Sequence, residues 1–226
     1  MGLPRRPGLV FVISSPSGGG KTTVVERLTR RLPLLVRSVS VTTRPPRKGE
    51  RHGRDYRFVS RPVFERMQRT GALLEWAKVH GEYYGTPKRP IVTALAQGRH
   101  ALLNIDVQGA RKIRRALGQQ AVLIFLLPPS QDVLRRRLMR RRTESASAVR
   151  RRLAAAAREM ACAQWYDYEV VNDRLSDTVA QVEAIVTAAE AEPLRRPLDS
   201  GLGALARGRP ERAKRVEGRR KGIGGV

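Results

Sequence analysis

One stretch near the amino terminus, LVFVISSPSGGGKTT at positions 9–23, constrains the fold of this chain more than any other. Its first five residues are apolar and rich in β-branched side chains, which predicts a buried strand. Apolar residues at helical spacing from Val24 to Leu32 predict a helix shortly after it. A glycine-rich loop that ends in Lys-Thr separates the two elements. Strand, loop and helix in this order predict a phosphate-binding loop.

The chemistry of such a loop explains its composition. Backbone N–H groups turn inward to bind anions, and the start of the helix adds the positive end of its dipole. The full signature has a glycine where this chain has Ser15, but Ser15 precedes Pro16 and is therefore driven to an extended conformation open to any residue. The alternative is an ordinary corner between a strand and a helix. The residues predicted to bind ATP here are Ser17, Gly18, Gly19, Gly20, Lys21, Thr22 and Thr23.

Length and composition exclude several classes of protein. With 226 residues the chain makes one domain, or one domain with tails, and no apolar run is long enough to span a membrane. The start of the chain lacks the apolar centre of a signal peptide. Cys162 is the only cysteine and the three histidines are scattered, which predicts neither a disulfide framework nor a zinc site. We expect a cytoplasmic protein.

The formal net charge of +25 raises nucleic-acid binding as a hypothesis. Residues 193–226 carry +7 of that charge in a segment rich in Gly, Pro and Arg without periodicity, which predicts a disordered tail. Such a tail is expected to contact RNA or another polyanion without sequence preference. For the rest of the chain we favour arginines that handle phosphate, together with a compositional bias toward arginine, over a dedicated nucleic-acid surface.

Two further segments carry candidate binding groups. Residues 38–58 are polar, rich in proline and crowded with arginine, as a site for an anionic ligand requires, although a solvated basic loop would look the same. Glu75 lies in the apolar strand LLEWA, where a carboxylate usually has a partner or a function. The alternative places Glu75 on the solvent face of an edge strand.

The remaining strands and helices alternate along the chain. Apolar strands are predicted at 101–106, 121–127 and 168–172, with helices between them, which favours an α/β fold with a parallel sheet flanked by helices. The first of these strands ends in Asp106, where a Mg²⁺ partner is expected. Residues 135–152 hold nine arginines and predict either a lid over a polyphosphate or two solvated helix faces.

Several motifs in fixed order resemble the guanylate kinase family over roughly residues 8–191: SSPSGGGKTT, SVSVTTRPPRKGERHGRDYRF, LLEWAKVHGEYYGT, NIDVQGA, RRLMRRRTE and VVND. The resemblance implies a P-loop NTPase core at 8–192, between tails at 1–7 and 193–226. It also implies an inserted GMP-binding region at 38–90 and a helical lid at about 135–152. The implied reaction is the phosphorylation of GMP, and of dGMP, by ATP with Mg²⁺, in purine nucleotide metabolism.

The resemblance also implies a role for each matching residue. Glu50 would order the arginine-rich loop, and Asn172 would lie near adenine. Thr22 and Asp106 would bind Mg²⁺. The GMP phosphate would be held by Arg44, Arg47, Tyr56 and Tyr84. Guanine would be read by Ser40, Glu75 and Thr86, with Asn104 near its amino group. The catalytic charges would be those of Lys21, Arg44, Arg137, Arg141 and Arg152.

The chain departs from the family pattern at two of these places. Asn104 stands where an acid is usual, which removes a charge near the guanine amine, and Arg142 replaces a glycine of the lid. A related kinase acting on another phosphorylated acceptor, or a binding module without activity, are the competing interpretations. Glu75, the Arg44–Arg47 pair and the intact Lys21-Thr22 argue against both. The sequence leaves the oligomeric state open.

Overall fold

The computed structural model of the protein describes residues 8–79, 81–139 and 146–191, with the backbone alone for 146–150. The predicted tails and Arg141 lie outside these residues. The larger sheet has five strands in the order β2-β7-β1-β8-β9, and every neighbouring pair is parallel. Its strands are β1 (Val10–Ser14), β2 (Leu35–Arg37), β7 (His100–Asn104), β8 (Ala121–Leu127) and β9 (Tyr168–Val171).

Helices cover both faces of this sheet, because alternate residues of the central strand β1 face opposite sides. Phe11 and Ile13 pack in a core with α1 (Lys21–Arg31) and α7 (Leu175–Ala191). Val10 and Val12 pack in a second core with α3 (Lys88–Ala96) and α4 (Val107–Leu117). The predicted α/β class, with a parallel sheet flanked by helices, is confirmed.

A second, mixed sheet takes all of its strands from the segment 38–90. Its order is β4-β3-β6-β5, formed by β3 (Val41–Thr42), β4 (Arg57–Phe58), β5 (Leu73–Val79) and β6 (Glu82–Pro87). Helix α2 (Arg61–Arg69) connects β4 to β5 and buries Phe64. Helices α5 (Gln131–Met139) and α6 (Ala146–Met160), which follow β8 in the chain, carry most of the arginine-rich segment.

The structure corrects the predicted end of the strand that leads to Asp106, and it also ends β9 at Val171, one residue before the predicted end. The strand expected to run to Asp106 ends at Asn104, and Asp106 is instead the residue that caps the N-terminus of α4. Its Oδ1 accepts hydrogen bonds from the backbone N–H groups of Gln108 and Gly109, at 2.8 and 2.9 Å. The carboxylate is thereby fixed by the start of a helix and not by a strand. Within the described ranges, no helix is long and apolar enough to cross a membrane.

A buried histidine joins the start of β1 to the end of α7. The Leu9 N–H donates to His100 Nδ1 at 3.0 Å, and His100 Nε2 lies 2.9 Å from Glu190 Oε1. Because Nδ1 accepts a hydrogen bond, the proton of the neutral ring is on Nε2 and is donated to Glu190. Burial lowers the pKa of His100, although Glu190 opposes this effect.

This arrangement predicts a loss of stability in mild acid. The unfolded histidine binds a proton near its ordinary pKa of about 6.5, whereas the folded one does so only at lower pH. The stabilisation is therefore fully present above about pH 7 and decreases as the pH falls. We expect His100→Gln to lower the free energy of unfolding at pH 7 and to flatten its decline between pH 7 and 5, measured by urea denaturation. The exposed His52, changed to Gln, serves as the control, and equal slopes in all three proteins would refute the assignment.

Candidate active site

A cleft of about 1060 Å³ lies between the glycine-rich loop, the second sheet and helix α6. Thr86 and Asn172 are buried behind its wall, and Arg141 lies outside the described residues. The cleft brings together all the other predicted site residues: Ser17, Gly18, Gly19, Gly20, Lys21, Thr22, Thr23, Ser40, Arg44, Arg47, Tyr56, Glu75, Tyr84, Asn104, Asp106, Arg137 and Arg152.

The glycine-rich loop has the backbone geometry that its composition predicts. Gly18 and Gly20 have φ values of 87° and 88°, a region that side chains with a Cβ rarely adopt. Helix α1 begins at Lys21, directly after Gly20. The Lys21 ammonium donates to the Ser15 carbonyl at 2.7 Å and lies 3.2 Å from Ser15 Oγ, so the non-glycine residue of the signature holds the lysine over the loop.

The Asn172 side chain binds the backbone of this loop. Its Nδ2 donates to the Gly19 carbonyl at 2.6 Å, and its Oδ1 accepts from Thr178 Oγ1 at 3.1 Å. A Cβ on Gly20 would lie 2.5 Å from Asn172 Nδ2, which leaves glycine as the residue that fits. Both polar ends of the amide therefore bind protein groups. The structure gives Asn172 a positioning role, and its predicted place near adenine stays a prediction.

An ion pair with Glu50 orders Arg44, which lies just after strand β3 of the second sheet. Arg44 NH1 and NH2 donate to the two oxygens of Glu50 at 3.0 and 2.9 Å, and Arg44 Nε lies 3.2 Å from the Tyr84 hydroxyl. Glu50 also accepts the Arg47 backbone N–H at 2.7 Å. Partial burial would raise the pKa of Glu50, but the bonds from Arg44 and Arg47 outweigh it and hold the pKa below its ordinary value. The predicted ordering role of Glu50 is confirmed.

Glu75 is the most unusual acid of the cleft, because only 6 % of its surface is exposed. Thr86 Oγ1 donates to Glu75 Oε1 at 2.5 Å. A Cβ on Gly109 would lie 2.9 Å from Glu75 Oε2, so helix α4 can approach the carboxylate only with glycine there. Burial raises the pKa of Glu75 to about 7, with a smaller contribution from Asp106 in the same direction. The alternative of a solvent-facing Glu75 is therefore wrong.

Two buried guanidinium nitrogens at the cleft have no hydrogen-bond partner among the described residues. They are Arg137 NH1 and Arg37 Nε, and both side chains line the cleft. Arg137 NH2 is fixed by the Asn172 carbonyl at 3.0 Å. A buried donor without an acceptor is costly, so these nitrogens suit a ligand that brings anionic oxygens.

Arg37 and Glu159 are among the cleft residues that the sequence did not reveal. Arg37 ends β2, a strand of three residues that the sequence pattern did not reveal. Glu159 Oε2 accepts the Ser17 backbone N–H at 3.1 Å, while Arg152 NH2 donates to Ser17 Oγ at 2.7 Å. Helix α6 therefore binds the loop through two opposite charges. No local signal distinguishes Glu159 from any other acid on a helix.

The geometry can be compared with known proteins. A family model described as guanylate kinase matches residues 8–189. The chain belongs to the guanylate kinase family. The guanylate kinase of Rhodopseudomonas palustris is 46 % identical over 207 residues, covering 92 % of each chain. That of Carboxydothermus hydrogenoformans is 42 % identical over 188 residues, covering 83 % of this chain and 92 % of the relative.

A solved structure of the same family agrees with this assignment. The crystal structure of guanylate kinase from Anaplasma phagocytophilum is 36 % identical in sequence and superposes with a TM-score of 0.71. The superposed region covers 90 % of this chain and 95 % of the Anaplasma chain. Membership in the guanylate kinase family therefore rests on the whole domain and not on the phosphate-binding loop alone.

The role of Asn172 in this member of the family can be tested by stability. We expect Asn172→Ala to lower the free energy of unfolding by about 2–3 kcal/mol, because Gly19 and Thr178 both lose a buried partner. Thermal or urea denaturation measures the effect. The neighbouring Asp173 is exposed, and Asp173→Ala should change stability by less than about 0.5 kcal/mol. A similar small effect at Asn172 would contradict its positioning role.

Proposed function

We propose that this protein transfers the γ-phosphoryl group of ATP to GMP, and to dGMP, giving ADP and GDP or dGDP. The observation that carries the proposal is the buried Glu75 carboxylate, which faces the same cleft as the phosphate-binding loop. Acceptance of dGMP is expected because the proposed contacts are to the base and the phosphate, which GMP and dGMP share.

The acceptor base is selected by hydrogen-bond donors. Guanine presents N1–H and the exocyclic amino group side by side, and one carboxylate accepts both. Adenine has no such pair of donors and would leave the buried Glu75 without partners, which is a large penalty. Ser40 and Asn104 line the cleft beside it, and Thr86 orients the carboxylate from behind. The amide oxygen of Asn104 would accept from the guanine amino group without adding charge.

Positioning and charge neutralisation supply the catalysis. An oxygen of the GMP phosphate attacks the γ-phosphorus of ATP, and the bond to the ADP oxygen breaks, with no covalent intermediate on the protein. Arg44, Arg47, Tyr56 and Tyr84 would hold the acceptor phosphate. Lys21, Arg137, Arg141 and Arg152 would surround the transferred group, and α6 over the loop would exclude water.

The side-chain oxygens of Thr22 and Asp106 are of the type that binds Mg²⁺. Thr22 and Asp106 both line the cleft, and Asp106 Oδ1 is already fixed by two backbone N–H groups. No three His, Cys, Asp or Glu side chains cluster as a metal cage in the described part of the chain. Mg²⁺ in kinases is held by few protein oxygens together with phosphates and water. Bound there, it would neutralise phosphate charge, and Thr22 and Asp106 would hold it.

A coupled assay of ADP formation tests the proposed activity directly. With ATP and Mg²⁺ supplied, we expect turnover with GMP and dGMP and little with AMP, CMP or UMP. Turnover of another monophosphate alone would favour the competing kinase. No turnover of any acceptor would favour a binding module on the same fold.

The role of Glu75 predicts a specific pH profile. The carboxylate accepts both guanine donors only when ionised, so kcat/KM for GMP should rise as the pH increases through about 7. We expect Glu75→Gln to weaken transition-state stabilisation by about 2–3 kcal/mol, which lowers kcat/KM for GMP roughly 30- to 150-fold. The substitution should also flatten the rise of kcat/KM with pH. Glu65→Gln, on helix α2 outside the cleft, is the matched control and should keep the wild-type profile. An unchanged profile in Glu75→Gln would exclude the guanine assignment.

We also propose that residues 193–226 contact RNA or another polyanion through charge alone, and that the protein works in the cytoplasm. The +7 charge of this segment supports the first proposal. The supply of ATP and the single free cysteine, Cys162, agree with the second.

Truncation tests whether the tail contributes to RNA binding and not to catalysis. Because all assigned site residues precede it, deletion after Glu192 should leave kcat and KM for GMP within about twofold. The same deletion should weaken RNA binding and reduce its dependence on salt. Steady-state kinetics and fluorescence anisotropy with labelled RNA measure the two effects. A large loss of kcat would mean that the tail contributes to the active site.

A further inference from the structure

The two tryptophans of the chain lie at the surface on either side of helix α4. Trp76 and Trp165 are 40 % and 45 % exposed. Consecutive residues of α4 cover them: Lys112 Nζ lies 4.7 Å from the centre of the Trp76 ring, and Arg111 Cζ lies 4.1 Å from that of Trp165. Lys112 also donates to the Trp76 carbonyl. Each ring therefore has a cation on one side while much of its surface remains in contact with water.

From Trp76, the aromatic rings and cations extend across the second sheet to Lys78 on β5 and Tyr83 on β6. The Tyr83 ring centre lies 6.1 Å from that of Trp76, and Lys78 Nζ lies 5.8 Å from the Tyr83 ring. Together these side chains form an aromatic–cation track, which consists of Tyr83, Lys78, Trp76, Lys112, Arg111 and Trp165.

The track lies on a different face from the catalytic cleft. Side chains of β5 alternate between two sides, so Glu75 and Ala77 face the cleft while Trp76 and Lys78 face outward. None of the six residues of the track lines the cleft. Occupation of one face therefore leaves the other accessible.

The charge of this face is strongly positive. Helix α4 has four cations and no acid between Val107 and Leu117. The nearby Asp167 is already paired with Arg114 and accepts the Leu123 N–H at 2.7 Å. At the far end, Arg61 stacks on Tyr83 and pairs with Glu65 at 2.9 Å. Among the described residues, Asp167 and Glu65 are thus paired with arginines outside the track, whereas Lys112 also interacts electrostatically with the buried Glu75.

We propose that the aromatic–cation track binds single-stranded nucleic acid. Exposed aromatic rings stack with unpaired bases, and interleaved Lys and Arg bind the phosphates between them. An acidic peptide would use the cations but would have no use for the two exposed tryptophan rings and the half-buried Tyr83 ring beside Trp76. A duplex keeps its bases paired and stacked inside the double helix, so the rings have no unpaired base with which to stack. The combination of exposed tryptophan rings and excess positive charge therefore selects a single strand.

The protein carries its own reporter for this interaction, because its only tryptophans are both in the track. We expect single-stranded oligouridylate of about 12 nucleotides to quench the intrinsic tryptophan fluorescence of the full chain, since base stacking acts on the rings themselves. Inorganic polyphosphate of similar charge should bind without this quenching. Equal quenching by both anions, or none by the oligonucleotide, would overturn the proposal.

Variants separate the track from the basic tail and from the cleft. In the full chain, Trp165→Ala should weaken binding of labelled oligouridylate by about 5- to 150-fold, the range measured for loss of one stacking ring. Arg27→Ala, which removes an exposed cation from helix α1, should change binding far less. Unaltered GMP kinase activity in Trp165→Ala verifies that the variant is folded. Binding that is unchanged by Trp165→Ala, or that is displaced by saturating GMP and ADP, would place the strand elsewhere and refute the track.

Discussion

The site depends on one constraint of parallel sheets, which is that all carboxyl ends of the strands meet at one edge. Strand β1 occupies the middle of the larger sheet, and the phosphate-binding loop follows it directly. Arg37, Asp106 and Asn172 lie at or just after the ends of three other strands of this sheet. The order of the strands therefore brings together groups that are far apart in the sequence, and the second sheet closes the opposite side.

The concentration of positive charge around the cleft is stabilised before any ligand binds. Glu50 fixes Arg44 through two hydrogen bonds, and the Asn172 carbonyl fixes Arg137 through one. Side chains that are already ordered lose less entropy on binding, so a ligand gains more from each contact. The buried NH1 of Arg137, which has no hydrogen-bond partner among the described residues, leaves a donor at the cleft for an anionic ligand.

Period-2 alternation in β5 gives one strand two surfaces. Glu75 and Ala77 contribute to the cleft, whereas Trp76 and Lys78 belong to the outer face. The same alternation buries the Glu75 carboxylate and raises its pKa to about 7, because the side that faces the cleft is also covered by helix α4. Burial and selectivity for guanine thus have a common structural cause in the proposed mechanism.

The sequence by itself determined the elements whose signals are local. The apolar runs of β1 and β8, the glycines before Lys21 and the helical spacing after it were all evident, because strand, loop and helix preferences act over a few residues. The motifs that resemble the family also pointed to Glu75, which lines the cleft. Only the tertiary structure decided that Asp106 caps a helix and that β2, β3 and β4 exist, since strands of two or three residues depend on their partners. It also decided the contacts of Asn172 and Glu159 with the phosphate-binding loop, because groups more than a hundred residues apart in the sequence meet only once the sheet has formed.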